Sequence, residues 1–327
     1  MRRRDFIKLI GSTTAAWPLP VLAQQGERVR NIAILIGLAE NDPETKARLE
    51  KFRIEMEKLG WSEGRNVHTE IRFAPAGAQA QALARELVAL KPDVILAHSA
   101  GVVLALQRET RAIPIVFVNI SDPIGVGLIA TLARPGGNFT GVLHYEVGIV
   151  GKWLAMLKEI APGLARAALL GDPKNLFSYF RRAGEVAAQP LGIELVPAPV
   201  ENAADIEHAI KSFAGVPNGG LVLPPDSTTL TNRDLILSLA ARHRLPAVYP
   251  FRSFVVAGGL ISYGTDQVNM FGQTASYIDR ILRGANPADL PVQAPTKYET
   301  TLNLKTAKAL GLTVSPGLII AADEVIE

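Results

Sequence analysis

A chain of 327 residues with no cysteine and 48% hydrophobic side chains is long enough for one large domain or two lobes. It excludes disulfides, zinc–thiolate sites and cysteine nucleophiles. The formal net charge of +3 resides in residues 1–23, where Arg2, Arg3, Arg4 and Lys8 stand against Asp5 alone. The remainder is neutral by formal count, so the basic isoelectric point gives no case for nucleic-acid binding.

The first 23 residues read as an export signal. Arg3-Arg4 with Phe6 and Lys8 forms a twin-arginine pattern, Leu9 to Leu19 is a weakly apolar core, and Val21-Leu22-Ala23 offers a cleavage site before Gln24. The segment is too short and polar to span a membrane, and later apolar runs are shorter still. Without a cysteine after the cleavage site, no lipid anchor is expected.

Asn31 to Gly37 reads as a buried strand, followed by Asp42 as an N-cap and Pro43 at the first helical position. Leu49, Phe52, Met56 and Leu59 then recur at helical spacing. Asn66 to Phe73 alternates as a strand, Gln79 to Leu90 is a helix, and Asp93 to Ala97 is a strand running into His98-Ser99-Ala100-Gly101. After a further helix, Ile113 to Val118 is a strand that meets Asn119, Ser121 and Asp122 at its carboxyl end. Val126 to Ala133 reads as a helix, and Pro135 to Asn138 stops it. This stretch is the pivot of the chain, because the strand–helix pattern pauses here and then restarts.

The second series runs through a helix at Val150 to Ile160, strands at Ala167–Leu170, Ile193–Val196, Gly220–Leu223 and Ala247–Tyr249, and helices at Ser178–Gln189, Ala203–Phe213 and Leu230–His243. A strand within Gly258–Gly264, a helix from Asp266 to Leu282, a strand at Tyr298–Leu302 and a helix at Leu304–Leu310 follow. Alternation of this kind implies α/β architecture, here two doubly wound parallel-sheet lobes. The tail is too small for a third core. It docks on both lobes, so the backbone crosses between them several times and forms a multi-strand hinge. The expected division is 27–143 with 264–296 as lobe I, and 144–263 with 297–327 as lobe II.

Ser121-Asp122-Pro123-Ile124-Gly125, Leu132-Ala133-Arg134-Pro135-Gly136-Gly137-Asn138, Gly258 to Gly264, Asp289-Leu290-Pro291-Val292, Asn303 to Ala307 and Ala322 to Glu327 together carry a resemblance. The chain resembles the periplasmic substrate-binding proteins of ABC importers, in the subfamily that includes tryptophan- and other aromatic-amino-acid-binding members. The resemblance implies a type I periplasmic-binding-protein-like fold that closes on a small molecule. It also implies an ABC permease in the inner membrane as partner, no cofactor, a monomer, and a soluble periplasmic location. It places Ser99, Asn119 and Asp122 on the first lobe's rim, and Asp226, Tyr249 and Tyr263 on the second lobe or hinge. Tyr145, Asn41 and Asn175 lie on neighbouring loops.

For an amino-acid ligand, Ser99 with the Ala100 and Gly101 amides suits the carboxylate. Asp226 or Asp122 suits the ammonium, and Tyr145, Tyr249, Phe251 or Tyr263 suits an apolar side chain. Two other readings stand beside this one. One is a ligand-sensing module of the same fold. The other is a serine hydrolase using Ser99 with Asp226 and His243, although Ala97 replaces the first glycine of a nucleophile elbow. His144, His208 and His243 have no metal-ligand spacing and read as surface or core residues. Gly136-Gly137 reads as a turn, and Trp61 and Trp153 as core.

Overall fold

The computed structural model describes residues 28–74, 77–146, 148–173 and 177–327. The export signal and Asn175 lie outside the described residues. No described helix is long and apolar enough to cross a membrane.

The first sheet is built from β1 (Arg30–Ile36), β2 (Val67–Phe73), β3 (Val94–His98), β4 (Ile115–Ile120) and β5 (Phe139–Leu143). They are all parallel, in the order β2-β1-β3-β4-β5. Both faces are covered, so the central strands are continuous apolar runs and not alternating ones. Helices α1 (Pro43–Lys58), α2 (Gly77–Ala89) and α3 (Ala100–Glu109) connect the first four strands. Asp42 caps α1 by accepting from the Thr45 amide at 2.9 Å, with Pro43 in the first turn. Asp42→Ala is expected to cost about 1 kcal/mol of stability, the usual worth of an N-cap, read as a lower urea midpoint at unchanged slope.

Between β4 and β5 the structure departs from expectation. Residues 126–133 form no helix. The chain folds into turns, with Val126 N–H donating to Asp122 O at 3.3 Å and Leu128 N–H to Pro123 O at 2.9 Å. Gly127 and Gly136 adopt φ of 71° and 76°, which a right-handed helix cannot accommodate. The apolar residues that suggest helical spacing still bury: Leu128 and Ile129 pin this loop to the first core.

The second sheet contains β6 (Arg166–Gly171), β7 (Glu194–Pro199), β8 (Gly219–Val222), β9 (Ala247–Tyr249), β10 (Ile261–Thr265), β11 (Tyr298–Asn303) and β12 (Glu324–Ile326). Its order is β12-β11-β10-β9-β8-β6-β7, with β11 antiparallel to β10 and the other pairs parallel. Around it lie α4 (Ile149–Ile160), α5 (Phe177–Ala188), α6 (Ala203–Ala214), α7 (Ser227–Thr231), α8 (Arg233–Arg242), α9 (Arg252–Val256), α11 (Leu304–Leu310) and α12 (Pro316–Ala321). The single helix expected over Leu230–His243 is thus two, broken at Asn232, whose side chain donates to Thr228 O at 2.9 Å. Trp153 on α4 is fully buried and donates to Tyr263 O at 2.7 Å.

Helix α10 (Gln267–Leu282) follows β10 of the second sheet yet packs on the first. Met270, Phe271 and Ile278 share a core with Phe52 and Met56 of α1, and Trp61 donates to Asp279 at 2.8 Å. The backbone therefore passes between lobes three times: after β5, between β10 and α10, and between α10 and β11. The crossings are tied together. Leu143 N–H donates to Gln293 O at 2.8 Å, and Asp266 N–H donates to Lys297 O at 3.2 Å. Strand β10 stays paired with β11 through Thr265, so Gly264 and Thr265 belong to the second sheet.

Candidate functional site

In a parallel sheet the strands end on a common edge, and ligands sit beyond it. The carboxyl ends of β3, β4 and β5 deliver His98, Asn119 to Ser121, and His144 to the first lobe's edge. The register fixes this placement. His98 pairs with Val118, and His144 N–H donates to Ile120 O at 2.8 Å. The backbone bends out of regular geometry where the strands stop, with φ of 80° at Ser99 and 71° at Asn119. Such conformations are costly for residues other than glycine and cluster at functional sites.

The edge holds polar groups without partners. His98 is 2%, Ser121 3%, His144 5% and Arg48 of α1 7% exposed. Yet both ring nitrogens of His98, the Ser121 hydroxyl, His144 Nε2, Arg48 Nε and Asn119 Oδ1 make no hydrogen bond among the described residues. Buried polar atoms are nearly always satisfied, so a cluster left open on one edge takes its partners from outside the chain, as water or as a solute. Burial, assisted by the Arg48 charge, lowers the His98 pKa to about 3. His144 is also held well below its ordinary value, by burial first and then by His98 and Arg48. Both rings are neutral at physiological pH. Burial lowers the Arg48 pKa against the attraction of Glu44 and Asp42.

The second lobe meets this edge through the segment after β9. Phe251 stacks on His144 with centroids 6.0 Å apart and planes 15° from parallel. A cavity of about 240 Å³ lies between the lobes, lined by Glu44 and Arg48 from α1, Gln267 from α10, and Phe251 and Arg252 from the second lobe. Arg252 is held by a bidentate pair with Glu324 at 2.5 and 2.6 Å. Tyr145 forms the floor of the hinge. Its ring is buried, and its hydroxyl donates to Pro250 O at 2.8 Å.

The residues singled out from sequence fall into three groups. Ser99, Asn119 and Asp122 stand on the first edge, with Asp122 accepting from the Gly125 amide at 2.8 Å. Asp226 stands at the end of β8 and caps α7 through the Thr229 amide at 3.0 Å, with Asp172 beside it. Tyr263 is half-buried on β10 and stacked on Tyr298 at 5.4 Å. Tyr145 and Tyr249 are packed inside, Tyr249 against Phe254 at 4.9 Å. The groups that sequence reasoning missed are Arg48, His98 and His144. His98 is the last residue of β3 and His144 the first after β5, at the position where a parallel sheet presents its ligand-facing side chains. That is the signal that could have found them.

Two chemistries are not assembled. His243 caps α8 at the end that feeds β9, the edge of the sheet opposite Asp226, so Ser99, Asp226 and His243 form no triad. No group of three or more His, Asp or Glu among the described residues is arranged to hold a metal ion.

Comparison with known proteins agrees with this architecture. A family model described as "ABC transporter substrate binding protein" matches residues 45–326. The tyrosine-binding protein of Clostridioides difficile is 24% identical over 79% of this chain and 74% of its own length. The crystal structure of an ABC domain in complex with L-Trp from Streptococcus pneumonia superposes with a TM-score of 0.82 at 22% identity, covering 91% of this chain and all of the other. A conserved domain protein from Vibrio cholerae gives a TM-score of 0.81 at 26% identity over 91% of this chain and all of its own.

Proposed function

Because this chain belongs to the ABC transporter substrate-binding protein family, a family of binding proteins and not enzymes, we propose that it captures an aromatic amino acid or a related aromatic carboxylate between its lobes. It then delivers that solute to an ABC permease in the inner membrane. Substrate-binding proteins of ABC transporters are periplasmic or extracellular. On this reading the twin-arginine pattern at Arg3-Arg4 directs the protein to the periplasm, where it works as a monomer. The expected division at 143/144 and 263/264 is adjusted so that His144 stays with the first lobe and Gly264 and Thr265 with the second, and the lobes rotate about the three backbone crossings. The ligand favours the closed arrangement through its differential affinity for it.

The observation that carries this reading is Phe251 of one lobe stacked on buried His144 of the other, whose Nε2 is open, beside a cavity that both lobes line. An aromatic face and open polar atoms together suit a small molecule that is part ring and part hydrogen-bonding head group. The relatives that bind tyrosine and L-Trp support the same class. On this reading Ser99, Asn119 and Asp122 contact the solute from the first lobe, and Asp226 and Tyr263 from the second.

A thermal-shift panel of L-tyrosine, L-tryptophan, L-phenylalanine and benzoate tests it. A solute present at a hundred times its dissociation constant adds about 2.7 kcal/mol to stability, so at least one should raise the melting temperature by several degrees. Phe251→Ala should weaken that solute's binding about tenfold while leaving the unliganded protein folded. A flat response across aromatic and non-aromatic amino acids alike defeats the reading.

A further inference from the structure

We infer that Arg48, His98, Ser121 and His144 form the seat for the carboxylate of the bound solute, placing its anionic end against the first lobe and not at the start of α3. This rests on the small-molecule reading above and goes beyond it by naming which charge is recognised and by which atoms.

The inventory of atoms decides the sign. Arg48 Nε–H is a donor only, the Ser121 hydroxyl can donate, and each neutral imidazole carries one N–H. Arg48 Nε, the Ser121 hydroxyl and both nitrogens of His98 are buried and unpartnered, so the His98 N–H is open in either tautomer; on His144 the open atom is Nε2, a donor in the tautomer that carries its proton there. The carboxylates that act on Arg48 leave them open. Glu44 takes one terminal nitrogen of Arg48 at 2.9 Å from a side chain 61% exposed, and Asp42 is occupied with Thr45 at 2.9 Å. Asp122, on the same edge, is turned onto the Gly125 amide. The edge therefore presents a buried cation and several donors with no buried anion aimed at them. An ammonium group would meet Arg48 as a like charge, whereas a carboxylate accepts from every one of these donors and gains charge-assisted bonds in a dry site.

The strand geometry supports a shared guest. His98 and His144 end strands separated only by β4, on the order of 10 Å apart at the backbone, with Ser121 leaving β4 between them. Arg48 closes the cluster from α1 and also lines the interlobe cavity. The start of α3 offers less. Ser99 makes no capping bond there, and a helix terminus without an open buried side chain does not define a site.

Calorimetric titration of the purified protein with matched pairs tests this: L-tyrosine against L-tyrosinamide, L-tryptophan against L-tryptophanamide, and benzoate against benzamide. Each pair differs only in the carboxylate. The acid should bind about 10- to 100-fold more tightly than its amide, the range expected for hydrogen bonds to a charged group. That gap should shrink about tenfold in Arg48→Met and by a smaller factor in Ser121→Ala. Should Arg48→Met fail to fold, Ser121→Ala and the wild-type pairs still decide the matter. If acid and amide bind equally, the carboxylate seat is overturned while aromatic-solute binding stands. If the gap persists unchanged in folded variants, the carboxylate sits elsewhere and the assignment is overturned. If no probe binds wild-type protein, the seat and the aromatic reading fall together.

Discussion

Replacing Gly264 by alanine is expected to destabilise the protein by about 3 kcal/mol or more, at the upper end of what overpacking costs. A methyl group at this position would stand 2.0 Å from Pro250 O and 2.7 Å from the Tyr145 hydroxyl. Those two atoms are themselves bonded at 2.8 Å, so the intruding carbon would break the bond and leave a buried hydroxyl and carbonyl unsatisfied. Neither neighbour can retreat easily. Pro250 follows β9, which is locked to β10 in register at Ser262–Tyr249, and the Tyr145 ring is wedged edge-on against Trp153 at 5.6 Å. Because Gly264 lies next to the crossing into α10, the strain falls on the hinge itself. Gly101→Ala is the control. It lies in α3 with nothing within 4 Å of the added carbon and should be neutral or mildly stabilising through helix propensity. Guanidinium denaturation of the two variants checks the contrast, and a Gly264→Ala midpoint within error of wild type would refute the packing described at the hinge.

The sequence made the repeating framework legible because parallel strands buried on both faces leave compact apolar runs, and helices between them leave a 3.6-residue period. β1, β3 and β4 could be found within two residues on that basis. Capping chemistry was equally plain: Asp42-Pro43 opens α1 as read, and Asp266 opens α10 by accepting from the Asn269 amide at 2.8 Å. What escaped depends on distant partners. β12 is three residues long and exists by pairing with β11, and α12, the short helix before it, has no periodic pattern to announce itself. The stretch over 126–133 misleads because Val126, Leu128, Ile129 and Leu132 have helical spacing, while the positive φ of Gly127 decides the backbone.

The site was less legible than the fold, for a related reason. Strand ends reveal which loops converge: Asn119 and Asp122 read as the polar end of a buried strand, and the family resemblance set Ser99 beside them. Periodicity does not reveal which side chains turn inward. A single histidine after VILA or GVL reads as a core residue, and His98 and His144 are indeed buried. Their significance lies in unpartnered nitrogens, a property of the assembled edge and not of the local sequence. Arg48 is hidden in the same way: on α1 it looks like one of several solvent-facing cations, but the helix turns it with Thr45, Phe52 and Met56 toward the sheet.

The buried histidines carry the second large expectation, a marked loss of stability on mild acidification. His98 titrates near 3 in the folded protein and near 6.5 once unfolded. Below pH 6.5 the unfolded chain therefore binds a proton that the folded one refuses, and stability falls with falling pH. The contribution is fully present above 6.5 and is withdrawn progressively down to about pH 3. At 1.36 kcal/mol per unit of difference, lowering the pH from 7.5 to 5 should remove about 2 kcal/mol through His98 alone, and His144, depressed by the same burial, acts in the same direction. Glu324 is held below its ordinary value by the hydrogen bond from Arg252, which moves its own loss of charge further toward acid. Urea midpoints at pH 7.5 and 5.0 should differ by the stated amount in the unliganded protein, and His98→Gln, which cannot take up a proton, should flatten the dependence. An equal midpoint at both values would show that the imidazole is not buried in neutral form. A bound carboxylate would weaken the effect, since an anion beside the rings favours their charged form. Repeating the pair of midpoints with saturating benzoate or L-tyrosine should then give a shallower pH dependence than the empty protein shows.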